Sequence, residues 1–481
     1  MNIKKTNDNL SELILSLNRH EKRYISIYLD QFKKGNNIYY ITFNLVSNKV
    51  KNLPSTVNPV IKNQLYWKIL RGLQMFNSEN NVIIQKNNLL SQSHILSNKG
   101  LKVQALKVLK KANNICMLND LNEDILSISN KEANLIIDKN ESGAQENSIS
   151  NYNKINLLNL KIINQNYALN KIFLQNKLNT NFFKLNLDPI SHKILNAYVF
   201  KVKENEILSN YGHIIYNYNL GFYYLNINHL KSALYHFKKA YTKFLNFNNL
   251  IPIHKEDFCD LLKLIFDGYL KFKKQKLSLT IFEKTKTELI KANTFDDEIN
   301  IICIVSKINL LLVRNETIEN EINHLYILKE KTYNIKYLIE IDYQIIRYNL
   351  YSNKHKNLIR LINLFTNTYP YNYRPDLQLS IKILNLIIVF LFKDFTHLKN
   401  EIKTTRNYLI KQNIKSDFAD IIIKDFFICL KTGNGLSLTK SIKYAFINNF
   451  QNILKLSDYK LNFGIYFDFH IFVKTYTKID L

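Results

Sequence analysis

Glycine and proline are scarce in this chain, with 10 and 6 among 481 residues. Sandwiches, barrels and dinucleotide-binding sheets place many glycines in tight turns, so this shortage argues against them and leaves a chain of helices. Cysteine is rarer still. Cys116, Cys259, Cys303 and Cys429 lie far apart and form no C-x-x-C. That spacing supports neither a zinc site nor a thioredoxin-type motif, and sparse thiols in a large chain fit a reducing cytoplasm. Long hydrophobic runs are missing too. The most apolar stretch, Ile383–Phe392, sits between Lys382 and Lys393 and has about half the roughly twenty residues a membrane span needs. The basic opening has no apolar core before a small-residue cleavage site, so no secretory signal is expected.

Acidic residues are the last shortage. Asp and Glu number 39 against 66 Lys and Arg, a net charge of +27. One reading is a polyanionic partner such as nucleic acid or the ribosome. The other is codon usage, because Lys, Asn, Ile, Tyr and Phe, all abundant here, have AT-rich codons. The cations are spread along the chain, which favours codon usage.

What is present is helical periodicity, within a chain that is 46% hydrophobic. In "NPVIKNQLYWKILRGLQMF", Asn58 caps a helix, Pro59 fits its first position, and Ile61, Leu65, Ile69, Leu70, Leu73 and Phe76 make one apolar stripe. Trp67 lies off that stripe and is expected to face a second neighbour. In "NRHEKRYISIYLDQF", Asn18 and Glu21 have the spacing of a capping box, and Ile25, Tyr28, Leu29 and Phe32 follow as the buried stripe. "NIYYITFNLVSN" has the β-branched and aromatic content of a strand, but no partner strand is evident and helix is preferred. Residues 138–150 are polar, with Gly143 and Ser142, Ser148 and Ser150, and read as a mobile loop. Pro189, Pro252, Pro370 and Pro375 mark helix joints, Pro375-Asp376 opening a helix.

Candidate chemistry is thin. "KTGNGLSLTKS" (431–441) lacks the glycine that must precede the lysine of a phosphate-binding loop. His229 and His236 have no third ligand nearby, and "HEKRY" lacks the second histidine of a zinc protease. Asp417, Asp420 and Asp425 share a helical spacing but have no base beside them. No catalytic constellation and no cofactor site is expected, so the chain is read as non-enzymatic. Basic faces occur at Lys107, Lys110 and Lys111 and at Lys238, Lys239 and Lys243. "KFKKQK", with Lys271, Lys273, Lys274 and Lys276 around Phe272, is the candidate polyanion contact.

The segment "IIYNYNLGFYYLNINHLKSALYHFKKAYTKF" holds Leu220, Gly221 and Tyr224, then Ala233, Phe237 and Ala240. This spacing resembles the tetratricopeptide repeat, in which small residues let two antiparallel helices approach and large ones fill the space between them. Decayed versions follow at Ile265, Tyr269, Ser278, Phe282 and Thr285 and precede at Ala105, Leu109 and Ala112. One unit cannot bury its faces alone, so stacked neighbours are expected. The sequence therefore predicts an all-α, irregular tetratricopeptide-like hairpin array (an α-solenoid) with a helical N-terminal region. Expected divisions are 1–85, 86–369 and 370–481. The order "HEKRY", "YWKILRGLQMF", "SNKGLKVQALKVLKKAN" and "GIYFDF" also resembles a family of uncharacterised helical proteins of Bacteroidota. Ile25 stands where that family shows Phe, Asn18 where Ser is commoner, and no Trp follows the Y-F-D. The second resemblance supplies an architecture and leaves the function open. The tetratricopeptide resemblance implies a scaffold for another polypeptide, expected to be cytoplasmic. In it, Ile215, Tyr218, Phe222, Leu225 and Asn226 either line a ligand groove or, where long irregular helices fill that groove, belong to the core. The alternative is a basic nucleic-acid- or ribosome-associated factor.

Overall fold

A computed structural model describes residues 9–411 apart from 33–37, 48–57, 80, 138–141, 180–198, 200, 228, 272–274, 292–293, 314–315, 333, 353–354, 371–373 and 392–394, together with 419–420 and 423–424. Regular structure among the described residues is entirely helical. The chain divides into two compact units, Met1–Asn164 and Gln165–Leu481. That division falls inside a helix rather than near residues 85 or 369.

The first unit begins with α1 (Asn9–Ser16), α2 (Arg19–Asp30), α3 (Ile38–Ser47) and α4 (Pro59–Phe76). Asn18 and Glu21 form the expected capping box, each side chain holding the other's backbone N–H at 2.9 Å. Asn58 caps α4 through the Val60 N–H, with Pro59 at the first position. The ambiguous 38–47 segment is helix: Phe43 and Val46 pack with Leu10, Ile14, Ile25, Leu29, Leu65 and Ile69 in one core, and packing overrides strand propensity. Phe32 departs from the expected buried stripe. It is 42% exposed, lying beyond the last turn of α2 with the Lys68 ammonium 3.7 Å above its ring.

Next come α5 (Val82–Asn98), α6 (Lys102–Leu118), α7 (Asn122–Ile137) and α8 (Ser142–Asn179). Gly100 stands at φ +76° between α5 and α6, a left-handed conformation that closes the helix end with Leu101 N–H on the Leu96 carbonyl. Ala105, Leu109 and Ala112 are buried as their spacing predicts. The expected loop at 138–150 is wrong from Ser142 onwards, where the backbone is already helical. Ala144, Gln145 and Glu146 are strong helix formers, and polarity alone misled the reading.

The second unit continues from the 165–179 half of α8 into α9 (Asn210–Asn226), α10 (Leu230–Asn246), α11 (Lys255–Lys271), α12 (Gln275–Lys291), α13 (Asp297–Val313), α14 (Glu319–Lys331), α15 (Ile335–Tyr351), α16 (His355–Thr368), α17 (Pro375–Leu391) and α18 (Phe395–Lys411). Helices α9 to α13, α15, α17 and α18 are each 17 residues long. Each helix packs on the next, and α11, α13, α15 and α17 also touch in succession. This is an all-α helical-hairpin array. Its odd-numbered members are buried nearly all round: in α13, residues 301–306 and 308–312 are all buried, whereas α14 buries only Ile322, Leu325 and Leu328. A helix apolar on every side is an interior helix, and one with a single stripe is a surface helix.

The α9–α10 hairpin is built as its sequence predicts. Leu220, Ala233, Phe237 and Ala240 are buried, and Tyr224 stacks on His236 with centroids 5.4 Å apart. Gly221 has no substitute here, since a Cβ at that position would overlap the Phe237 ring. Ile265, Tyr269, Phe282 and Thr285 repeat the pattern in α11 and α12, all buried.

Candidate docking surfaces

Of the two alternatives for the α9 residues, ligand groove or core, the burial matches core. Ile215 and Tyr218 are 1% exposed and Phe222 is 3% exposed. Leu225 packs against the same core, and the Asn226 side chain lies outside the described residues. The face is occupied by α8. Its Phe173 ring lies 4.9 Å from Tyr218 and 6.5 Å from Phe222. The Asn176 amide donates to Asn219 Oδ1 at 3.2 Å, and Asn219 donates back to the Leu169 carbonyl at 3.0 Å. Burial pushes the Tyr218 phenol well above its ordinary pKa. These residues are core, filled from within the chain.

The odd-numbered helices are joined by ion pairs that sequence spacing could not reveal. Lys177 of α8 binds Asp257 at 2.7 Å and Asp260 at 3.0 Å, and Lys336 of α15 also reaches Asp260, at 3.2 Å. Farther along, Glu340, 4% exposed, takes Lys263 at 2.7 Å and Arg374 at 2.5 Å. Burial alone would raise the Glu340 pKa, but the two cations outweigh it and hold it at about 2. Arg374 stands at φ +47°, a left-handed conformation disfavoured for a residue with a Cβ. His254 stacks 3.5 Å from Tyr211, and burial lowers its pKa to about 4. Each of these carboxylates is held by cations, so the ladder ties helices together.

Among the described residues, a helix face and a cleft stand out as open surfaces. On α4, Val60, Trp67 and Met75 are 57%, 62% and 50% exposed. With Arg71, also exposed, they fall on one line of the helix. The second neighbour expected for Trp67 is absent among the described residues, apart from the adjacent Tyr66 ring. The other surface is a cleft of about 560 Å³ beside α10. Lys231, Tyr235, Lys238, Lys239 and Lys243 line one wall, with Glu204, Asn217 and Tyr269 opposite. Lys239 binds Glu204 at 2.9 Å. The Asn217 amide also donates to Glu204, at 3.2 Å, leaving Asn217 Oδ1 to accept from His236 Nδ1 at 3.1 Å. Lys238 lies 5.9 Å from the Tyr269 ring and Lys239 5.4 Å from Tyr235. The sequence showed Lys238, Lys239 and Lys243 as one face but not the part of Lys231, Tyr235 or Tyr269. The side chains of Lys271, Lys273, Lys274 and Lys276, which follow Tyr269, lie outside the described residues.

A smaller cleft of about 360 Å³ in the first unit is lined by Lys110, Asn113, Glu132 and Tyr152, among others. Glu132 is 2% exposed and its Oε1 has no hydrogen-bond partner. Burial raises its pKa, against the opposing effects of the Tyr152 hydroxyl and Lys110. A carboxyl with a raised folded pKa supports folding in acid and opposes it as pH rises through that value. Glu132→Gln is therefore expected to stabilise the first unit at neutral pH by roughly 1 kcal/mol, with the gain vanishing in acid. Urea unfolding at both pH values checks this.

Residues 431–441, Asp417, Asp425, Cys429 and the terminal "GIYFDF" lie outside the described residues. Cys116, Cys259 and Cys303 are buried free thiols, each pushed by burial to about 12. No cluster of three metal-ligating side chains occurs among the described residues, and none of their helices is long and apolar enough to cross a membrane. No family model, curated protein or solved structure matches the chain.

Proposed function

We propose that this protein is a non-enzymatic docking scaffold for another polypeptide, and that α4 rather than α9 carries the contact. One observation supports this above others. The only tryptophan of 481 residues stands 62% exposed between Val60 and Met75. Exposed Trp and Arg on a rigid helix are the residue types that dominate polypeptide interfaces. The fitting partner is an acidic amphipathic helix, whose apolar ridge would lie along Val60, Trp67 and Met75. Its charge would meet Arg71 on a helix that contains no Asp or Glu. The hairpin resemblance to tetratricopeptide arrays and the buried free thiols support a cytoplasmic scaffold.

The sole tryptophan makes the test direct. In the purified protein Trp67 should emit as a solvent-exposed indole and be quenched by a soluble quencher. Crosslinking in native cells should join α4 to a partner, and Trp67→Ala should weaken that partner's binding roughly 30-fold or more. Stability should move by no more than about 0.5 kcal/mol. A shielded Trp67 in the purified protein, or unchanged capture by Trp67→Ala, overturns the assignment.

A further inference from the structure

We propose that the lysine cleft beside α10 binds single-stranded nucleic acid. Among its described lining residues four lysines face one glutamate, which neutralises Lys239. Lys231, Lys238 and Lys243 have no carboxylate within ion-pair reach among the described residues. Like charges gathered without counter-charges in a concave site repel one another, an arrangement that a ligand bearing several anionic groups relieves. The spacing fits a strand. Lys231, Tyr235, Lys238, Lys239, Thr242, Lys243 and Asn246 follow one face of α10, a track of about 22 Å at the helical rise.

The aromatic residues decide which polyanion fits. Tyr235 is 56% exposed, with the Lys239 ammonium toward its ring. Tyr269, 3% exposed, meets Lys238 on the opposite wall as part of the core rather than as a stacking face. The exposed Tyr235 ring, with Lys231 and Lys238 one turn to either side of it on the same helix face, suits alternating bases and phosphates, because bases stack while phosphates pair. A run of acidic side chains would pair with the lysines but offers the exposed Tyr235 ring no flat face to stack on. A duplex hides its base faces and so cannot stack on the Tyr235 ring. Hydrogen bonds hold Glu204 in place from Lys239 and Asn217, and they keep its pKa down against burial. It is therefore a fixed acceptor on the wall, suited to a ribose hydroxyl or a base amino group.

The full-length protein is tested by fluorescence anisotropy against a labelled oligouridylate, an oligothymidylate, a duplex of the same length and a polyglutamate peptide. Salt is varied between about 50 and 200 mM. The single strands should bind best. Lys231→Gln combined with Lys238→Gln should make the log–log salt dependence shallower by about 1.4, two single-strand phosphate contacts. Tyr235→Ala should weaken binding roughly tenfold and leave that slope unchanged. All three residues are exposed, so thermal unfolding should match the parent and certify the fold. The proposal is overturned if the lysine pair leaves affinity and slope unaltered, if the duplex binds as well as the single strands, or if polyglutamate binds with the same lysine dependence while the oligonucleotides do not.

Discussion

Phe222→Asp is expected to unfold the array of the second unit. Phe222 is 3% exposed, stacked on Tyr218 at 5.0 Å and edge-on to Phe237 at 5.7 Å. Removing a buried aromatic side chain costs about 3–5 kcal/mol. Leaving an unpaired carboxylate in the same space adds several more. The sum approaches the whole stability of a typical domain, about 5–15 kcal/mol. Circular dichroism should show lost helix near room temperature, whereas Phe222→Leu should keep the fold at a cost of about 1 kcal/mol. A folded, near-parental Phe222→Asp protein would mean that the α9 face is open to solvent and that α8 does not cover it.

That prediction takes the core alternative for the α9 residues over the groove alternative, and the reason the sequence left both open is physical. The α9 segment mixes Tyr and Asn with aliphatic residues, a pattern equally suited to a wet groove and to an interior satisfied by side-chain hydrogen bonds. What separates the two is Asn176 meeting Asn219, 43 positions away, and no local period encodes such a meeting. Features confined to one turn were legible, Asn18 with Glu21 and Asn58 with Pro59, and so was Gly221 facing Phe237 across one short hairpin. Trp67 was legible as a residue off the core stripe, but its exposure depends on what lies beyond α4. The ion pairs were the least visible, because Lys263 and Glu340 stand 77 positions apart and each reads locally as an ordinary charge on a helix. The lysine cleft was half visible, since helical spacing aligns Lys238 with Lys239 and Lys243, while Tyr269 comes from the next helix.

Glu340→Gln is expected to destabilise the second unit by about 3–5 kcal/mol at neutral pH. The amide leaves Lys263 and Arg374, whose side chains are 20% and 14% exposed, without their shared counter-charge. The cost is pH-dependent, and its sign follows from linkage. The folded pKa of about 2 lies below the ordinary value of 4.5, so the folded state binds the proton less readily than the unfolded chain does. The pair's contribution is complete above about 4.5 and lost as pH falls toward 2, a span worth about 3 kcal/mol. His254, with its pKa lowered from 6.5 to about 4, loses its contribution earlier, as pH falls through that interval. Parental protein should therefore lose stability in two stages on acidification. Glu340→Gln should keep the His254 stage and lack the second. Urea unfolding across pH would show the parent and variant curves converging near pH 2, because a protonated Glu340 is as neutral as the amide. Curves that stayed parallel would assign the loss to packing rather than to charge, and the ladder along α11 and α15 would then owe little to its ion pairs. A Lys263→Gln companion completes the cycle. Its coupling to Glu340→Gln should reach about 0.5–3 kcal/mol at neutral pH and disappear in the same acid range.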